Sequence, residues 1–111
     1  MLDMENWLKS TGMKVAENSF LVPTSYPYIV YLDSMIVRGA DNMNFINEHN
    51  FTIELYCDGS GITNQKLIRD SAEMKIENLL NLVSYQYEKN RTTINDTSRI
   101  LQTTYNFSYV D

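Results

Sequence analysis

The clearest pattern along the chain is a strict alternation of apolar and polar positions in residues 51–57, FTIELYC. A period of two predicts a β-strand with one face in the core and the other toward solvent. Residues 99–110 alternate in a similar way and predict a second, longer strand. The predicted core face of the two strands consists of Phe51, Ile53, Leu55, Cys57, Leu101, Thr103, Tyr105, Phe107 and Tyr109.

Residues 27–32, PYIVYL, show no alternation, and their only polar side-chain groups are two tyrosine hydroxyls. They predict a strand that starts at Pro27, because proline has no amide hydrogen to donate to a central ladder. We expect its even-numbered face to lie against a long helix that follows later in the chain. That face consists of Tyr28, Val30 and Leu32. The odd-numbered Ile29 and Tyr31 then need a second cover, which is either an N-terminal helix with Trp7 or another molecule.

Apolar residues at steps of three and four predict the long helix over about 63–83, with Thr63 as its N-cap. The stripe expected to face the core is Ile68, Ala72, Ile76, Leu79, Leu80 and Val83. A short helix is predicted at 3–11, with acidic residues in the first turn, where the helix dipole favours them. Gly12 is placed to end this helix.

Turn signals divide the remaining segments. Asp33-Ser34 and Gly39 predict an exposed excursion over 33–46, with a short returning strand within it. After the long helix, a turn near Asn90 is expected to separate two short strands. The order of elements predicts an α+β fold. In this fold a mainly antiparallel sheet of about four to five strands is packed by one long helix and a short N-terminal helix.

Composition narrows the function classes. The length of 111 residues predicts a single domain over residues 1–111, since domains commonly have roughly 100–150 residues. Nine Lys and Arg against fourteen Asp and Glu give a net charge of −5, which argues against nucleic-acid binding as the main task. The single cysteine excludes an internal disulfide and favours a reducing cytosol. No segment reaches the roughly 20 apolar residues of a membrane span.

The titratable residues form no pattern typical of catalysis or metal binding. His49 has no neighbouring nucleophile motif and is predicted to be a surface or turn histidine. Cys57 ends the apolar face of its strand and is predicted to be a small buried hydrophobe. We therefore expect no catalytic, cofactor-binding or metal site. Arg91 and Arg99 either pair with carboxylates or are solvated.

The ordered set LKSTGMKVAENSF, PYIVYL, FTIELYCD, KIENLL and a final YNFSYV resembles small tail-completion proteins of siphophages and prophages of Gram-positive bacteria. These are tail-terminator or head-to-tail joining proteins, and the resemblance spans nearly the whole chain. It implies an α+β fold, no catalytic activity and assembly into a ring, usually a hexamer. It also implies contacts with tail-tube and head-connector proteins, and a virion location after synthesis in the host cytoplasm. The acidic charge balance suggests in addition that DNA passes through such a ring without specific binding. The missing apolar span predicts no membrane contact.

The apolar strand and the 33–46 segment are the expected subunit contact, because apolar side chains in an apparent loop are typical of interfaces. The residues are Ile29, Tyr31, Met35, Ile36, Val37, Met43 and Phe45. Three alternatives stay open. They are a head–tail connector of the same module, an adaptor or inhibitor that binds one protein through its sheet edge, and a small enzyme that uses His49 or Cys57.

Overall fold

Two helices and five strands make up the described part of the chain. A computed structural model describes residues 3–20, 25–38, 46–59, 65–83, 86–94 and 99–110. The elements are α1 (Met4–Lys9), β1 (Lys14–Glu17), β2 (Tyr28–Arg38), β3 (Ile46–Asp58), α2 (Gln65–Leu82), β4 (Glu88–Ile94) and β5 (Ile100–Val110).

The strands form one mixed sheet in the order β1-β2-β3-β5-β4. β1 pairs with β2 in parallel, and the other three pairs are antiparallel. The α+β class and the mainly antiparallel sheet predicted from the sequence are therefore confirmed. The sequence did not predict the parallel β1, because a four-residue strand has too few positions to show a period.

The core lies between one face of the sheet and the two helices. The register places the odd-numbered residues of the strands on this face; Ile29 lies opposite Leu55, and Leu55 opposite Thr103. Met4 and Leu8 of α1 and Ala72, Ile76 and Leu80 of α2 belong to the same buried cluster. The alternation in β3 and β5 thus predicted the correct core face.

The predicted orientation of PYIVYL is wrong. Ile29 and Tyr31, at 0% and 8% exposure, belong to the buried cluster on the helix side. Leu32, expected under the long helix, is 37% exposed on the opposite face. α1 and α2 supply the cover for Ile29 and Tyr31 inside the chain, so that cover needs no second molecule. An unbroken apolar run has no period, and its sequence therefore could not indicate which face turns toward the helices.

Two predicted turns are also absent. β2 continues through Asp33 and Ser34 to Arg38 and pairs with β3 along its whole length. β4 likewise continues through Asn90, so the two short strands expected there are one strand. Turn-forming residues are tolerated in both places because β2 extends beyond the helix-covered core and β4 is a solvent-exposed edge strand.

The helices agree closely with the prediction. Asp3 is the N-cap of α1, and its side chain accepts a hydrogen bond from the Asn6 amide. Gly12 follows the helix with a φ of +86°, a conformation that favours glycine. α2 has 18 residues within the predicted 63–83. The predicted N-cap Thr63 and the turn at Gly39 lie outside the described residues.

Candidate functional site

Glu73 is a carboxylate in the middle of the buried face of α2. It is 2% exposed and lies beside the apolar stripe that docks α2 onto the sheet. Arg91 donates from both Nε and Nη2 to its two oxygens, and Lys89 Nζ lies 3.1 Å from Oε1. Thr103 Oγ1 of β5 donates to Oε2 at 2.6 Å. Two cations of β4 and a hydroxyl of β5 therefore converge on one side chain.

These partners determine the charge state of Glu73. Burial raises the pKa of the carboxyl, but hydrogen bonds from Arg91, Thr103 and Lys89 lower it more, and the resulting pKa is about 2. The pKa of Arg91 is raised, chiefly by its hydrogen bonds to Glu73. At neutral pH the carboxylate is ionised and surrounded by donors. It serves as an ionic clamp between α2 and the sheet, and it lacks the raised pKa of a general acid.

The acidic side of α2 extends this clamp along the helix. Glu77, one turn beyond Glu73, accepts hydrogen bonds from Lys89 Nζ and from the Tyr105 hydroxyl, each at 2.8 Å. Burial, followed by the hydrogen bond to Glu77, raises the pKa of Tyr105. The sequence left open whether Arg91 pairs with carboxylates or is solvated, and the structure shows that it pairs with carboxylates.

His49 is not the surface histidine that the sequence suggested. It lies in β3 at 2% exposure, and Nδ1 is 3.0 and 3.1 Å from the two carboxylate oxygens of Asp33 on β2. Its ring stacks on Tyr109 with a centroid distance of 4.4 Å. The histidine occupies an odd, core-facing position where the hairpin emerges from the helix-covered core. Its contacts with Asp33 and Tyr109 join three strands.

Cys57 behaves as the small hydrophobe that the sequence predicted. It is 1% exposed in the core. Burial, with Glu73 as a nearby negative charge, raises the pKa of the thiol to about 11, so the reactive thiolate is scarce at neutral pH. Within the described ranges, no group of three or more His, Cys, Asp or Glu residues is arranged to hold a metal ion.

The sheet face opposite the helices is polar and carries its own side-chain contacts. Thr52 donates to Asn106 at 2.8 Å and Ser108 donates to Asn50 at 2.8 Å, which links β3 to β5. At the other end of this face, Tyr28 stacks on Tyr56 with centroids 5.0 Å apart. No lysine or arginine occupies an even-numbered position of β3, β4 or β5. The β3–β5 part of this polar sheet face therefore combines amide, hydroxyl and carboxylate groups without basic side chains, whereas Lys14 of β1 pairs with Tyr28 at the other end of the face.

The side of α2 that faces away from the sheet carries large exposed apolar residues. They are spaced by seven and eight positions, about two helical turns each, so they form a broad line on one side of the helix. We call this line the outer α2 stripe: Leu67, Met74 and Leu82, exposed at 66%, 64% and 79%. Ile68, predicted to be in the core, is 45% exposed beside it, because the buried stripe begins one turn later at Ala72.

A groove adjoins the outer α2 stripe near the start of the helix. It has a volume of about 430 Å³ and runs between Leu67 and Ile68 on one side and Met13 and Pro27 on the other. Sequence periodicity did not predict this surface, because it identifies only the apolar stripe that faces the core. α2 carries further apolar residues on its exposed side. The stripe and the groove together are the candidate interaction surface.

The residues predicted for the subunit interface differ in their exposure. Ile29 and Tyr31 are buried in the chain, whereas Met35 is 53% exposed on the extended part of β2. Ile36 and Val37 continue β2, and only their backbone is described. Met43 and Phe45 lie outside the described residues. Met35 is thus the predicted contact residue that the structure places on the surface.

No protein-family model matches the chain, and no curated protein matches it either. Among solved structures, a chain from the virion of a native gene transfer agent (GTA) particle is similar, with a TM-score of 0.56 and 12% sequence identity. The similarity covers 94% of this chain and 84% of that chain. At this identity the comparison shows a shared fold. Neither described helix is long and apolar enough to cross a membrane.

Proposed function

We propose that this chain is a non-enzymatic structural protein of a phage virion that assembles with copies of itself. The observation that carries the proposal is the fold, which is shared over 94% of the chain with a component of a gene transfer agent virion. The clamped carboxylate Glu73 and the buried thiol Cys57 support a structural role, because each is explained by packing within the chain.

The specific role that we propose is tail completion. A ring, hexameric by resemblance, would end polymerisation of the tail tube at its head-proximal end and join the tail to the head. The ordered sequence resemblance to tail-terminator and head-to-tail joining proteins supports this role. Its partners are then the tail-tube and head-connector proteins, and its location is the virion after synthesis in the bacterial cytoplasm. A connector or neck protein of the same module is the alternative within this class.

Two exposed apolar surfaces are available for self-contact. The outer α2 stripe lies on the helix layer, and Met35 lies on the β2–β3 hairpin beyond the main core. Contacts between two different surfaces of neighbouring copies close into a ring when the rotation between copies permits it. We propose that the stripe and the hairpin are the two halves of such a contact.

The polar sheet face supports passage of DNA without specific binding. Affinity for DNA comes mainly from lysine and arginine at the phosphates, and the even positions of β3, β4 and β5 contain neither. A ring that turned the β3–β5 part of this face toward its lumen would present DNA with amides, hydroxyls and carboxylates. Such a surface does not retain the phosphate backbone.

The first test measures assembly. Light scattering and electron microscopy of the protein, alone and with the tail-tube protein of its particle, should show rings or tubes of fixed length. The double variant Leu67→Asp/Met74→Asp should lower the assembled fraction at least tenfold, because two charges would have to be buried in the contact. Met35→Asp should act in the same direction if the hairpin is the other half of the contact.

Gln86→Glu is the matched control, since it adds a negative charge at an exposed position that belongs to neither the outer α2 stripe nor the β2–β3 hairpin. It should assemble as the wild type does. A wild-type protein that stays monomeric in both settings, and leaves tube length unchanged, would contradict the tail-completion role. Assembly that survives the double variant would exclude the stripe from the contact.

The edge strand β4 favours a second candidate, an adaptor or inhibitor that binds one protein. In the described part of the sheet β4 pairs with β5 on one side only, and all seven of its residues are exposed. An extended segment of a partner can add to such an edge through backbone hydrogen bonds. Capture of one cellular protein from host lysate would favour this candidate, whereas capture of tail-tube or connector protein favours the first.

A further inference from the structure

Two strands of the sheet have a backbone edge that no described residue covers. β2 has 11 residues, and only four of them, Tyr28 to Tyr31, pair with β1. This leaves the edge at 32–38 open. At the opposite side of the sheet, β4 pairs with β5 along its seven residues, and no described strand lies beyond it. Such edges present unpaired amide and carbonyl groups, to which another strand of similar length can add.

The chain turns away from β2 after β1, so the described residues that follow β1 do not cover the 32–38 edge. The Asn18 amide donates to the Tyr31 carbonyl at 2.9 Å. Asn18 has a φ of +64°, and Phe20 then lies against Tyr28 with ring centroids 5.4 Å apart. The chain therefore runs back toward the start of β2 and not along the hairpin.

We propose that β4 of one copy pairs antiparallel with the 32–38 edge of β2 in the next copy, so that the sheet continues from copy to copy. This inference rests on the self-assembly proposed above and names the strands that form the contact. Because β2–β3, β3–β5 and β5–β4 are all antiparallel pairs, β4 runs opposite to β2 within one copy. Copies related by rotation about one ring axis keep these directions along the axis. β4 of a neighbouring copy therefore meets β2 in the antiparallel sense.

One register fits the residues of both edges. In this register Ile94 of one copy lies opposite Leu32 of the next, and both side chains are 37% exposed in the single chain. Apolar pairs directly opposite each other stabilise antiparallel strands. No two residues of like charge are opposite each other in this register. A shift by two residues places Ile94 opposite Ser34 in one direction and opposite Val30, whose edge β1 already occupies, in the other.

The same register gives a strand tilt that a closed sheet can adopt. Within one copy Arg91 of β4 lies in line with Ile29 of β2, across β5 and β3. In the proposed contact Arg91 lies opposite Met35 of the next copy. Each copy thus displaces the register from position 29 to position 35, about 20 Å along the strand, over four strand spacings of about 19 Å in total. These lengths give a tilt of about 45°, close to the roughly 35–45° of closed sheets.

The helix layer takes part in the same contact. Asp70 and Glu77 of α2 form ion pairs with cations of β4, and Met74 lies between them on the same side of the helix. The register brings Met35 of the next copy, 53% exposed in the single chain, to the helix-facing side of Arg91. Pairing of the strands therefore places the hairpin against the outer α2 stripe.

The charged residues of β4 do not oppose this contact. Lysines and arginines on an edge strand commonly prevent its pairing with another chain. Lys89 and Arg91 of β4, however, form ion pairs with Asp70, Glu73 and Glu77 of α2. Their charges are thus balanced within the chain before a second copy arrives.

The test is disulfide cross-linking between copies. Copies that carry Leu32→Cys are mixed with copies that carry Ile94→Cys and are treated with oxidised glutathione. Opposite residues of antiparallel strands have Cα atoms about 4.5–5.5 Å apart, which a disulfide can span. We expect at least tenfold more covalent dimer from the mixture than from either variant alone. The double variant Leu32→Cys/Ile94→Cys should give a ladder of covalent oligomers, since β2 and β4 of one copy are about 14 Å apart and cannot be linked.

Ser34→Cys takes the place of Leu32→Cys in the matched control. Ser34 is exposed on the same face of β2, two residues further along the strand. Its mixture with Ile94→Cys should yield at least tenfold less dimer. The native Cys57 is 1% exposed in the core and does not compete. Equal yields from the Leu32→Cys and Ser34→Cys mixtures, or no covalent dimer from either, would overturn the proposed pairing.

The mass of the wild type, measured by light scattering, is read separately from the cross-links. A wild type that assembles while the Leu32→Cys and Ile94→Cys copies fail to link would overturn the β4–β2 contact and leave self-assembly standing. Specific cross-links in a protein whose wild type has monomer mass would support the contact and count against a stable ring.

Discussion

At the scale of single residues, three polar side chains in the core connect different elements of the fold. Glu73, His49 and Thr103 are each at most 2% exposed, and each faces a partner from another element. Glu73 is the most demanding case, because a buried carboxylate destabilises the fold unless cations and donors compensate it. Arg91, Lys89 and Thr103 supply that compensation. The stability of the fold should therefore depend on the charge of this residue.

We expect Glu73→Gln to lower the free energy of unfolding at pH 7 by about 2–4 kcal/mol, because it removes the charged partner of two cations. The folded-state pKa of about 2 is below the ordinary value of 4.5, so the ionised form is stabilised by folding. That contribution is complete above about pH 5 and is lost as the pH falls toward 2. Urea unfolding of wild type and variant at pH 7, 5 and 3 measures it.

The difference between wild type and Glu73→Gln should shrink between pH 5 and pH 3. A difference that stays constant with pH would mean that the substitution acts through packing, without a contribution from charge. Glu88→Gln controls for general charge effects, since Glu88 lies on the exposed β4. Its unfolding should match the wild type within about 0.5 kcal/mol at each pH.

At the scale of elements, the attachment of β4 to the helix layer depends on charged side chains. Every residue of this strand is exposed, and it pairs with β5 on one side. Its link to the helix layer consists of Lys89 and Arg91, whose contacts with α2 reach Asp70, Glu73 and Glu77. This strand is therefore attached to the helix layer by ion pairs, whereas β3 is attached to it by apolar packing.

We expect Arg91→Ala to loosen β4 locally and to lower the free energy of unfolding by about 2 kcal/mol, the order of a charged hydrogen-bond pair. Hydrogen exchange of the β4 amides that pair with β5 should accelerate at least tenfold, while β1 amides remain unchanged. Thr92→Ala is the control on the same strand, because its side chain lies on the other face. Uniform acceleration in all strands would show that Arg91 stabilises the whole fold and not one element.

At the scale of the whole molecule, the long β2–β3 pair gives the chain an extended shape. Eleven residue pairs connect the two strands, from Tyr28 opposite Tyr56 to Arg38 opposite Ile46. The Cα atoms span 58 × 27 × 22 Å, with a radius of gyration of 15.7 Å. A compact domain of this length is expected near 13 Å. The hairpin therefore projects beyond the helix-covered part of the sheet and carries Met35 with it.

Small-angle scattering at low protein concentration should give a radius of gyration near 15.7 Å for the monomer and a maximum dimension close to 58 Å. A value near 13 Å would mean that the hairpin folds back in solution. On raising the concentration, growth of the radius should accompany growth of mass if copies assemble. Leu67→Asp/Met74→Asp should then keep the monomer value.

The sequence by itself determined the elements whose patterns are local. The strand at 51–57, the strand at 99–110 and the helix within 63–83 each carry several turns or repeats of one period, and the structure confirms all three. The core faces of β3 and β5 follow from the same alternation. The burial of Cys57 was predictable for this reason, since it lies in phase with Phe51 and Leu55.

Only the tertiary structure decided which face of β2 is buried and which buried charged residues pair with each other. PYIVYL has no period, so its orientation was fixed by register, which places Ile29 and Tyr31 beside the inward-facing Leu55 and Ile53 of β3. Asp33 predicted a turn from the sequence, but in the structure it lies within β2 and its carboxylate contacts His49 of the neighbouring β3. Glu73 and Arg91 are 18 positions apart and belong to different elements, so their pairing is visible in neither local pattern. A period reports one residue's environment relative to its neighbours along the chain, whereas burial of a charge depends on groups that only folding brings together.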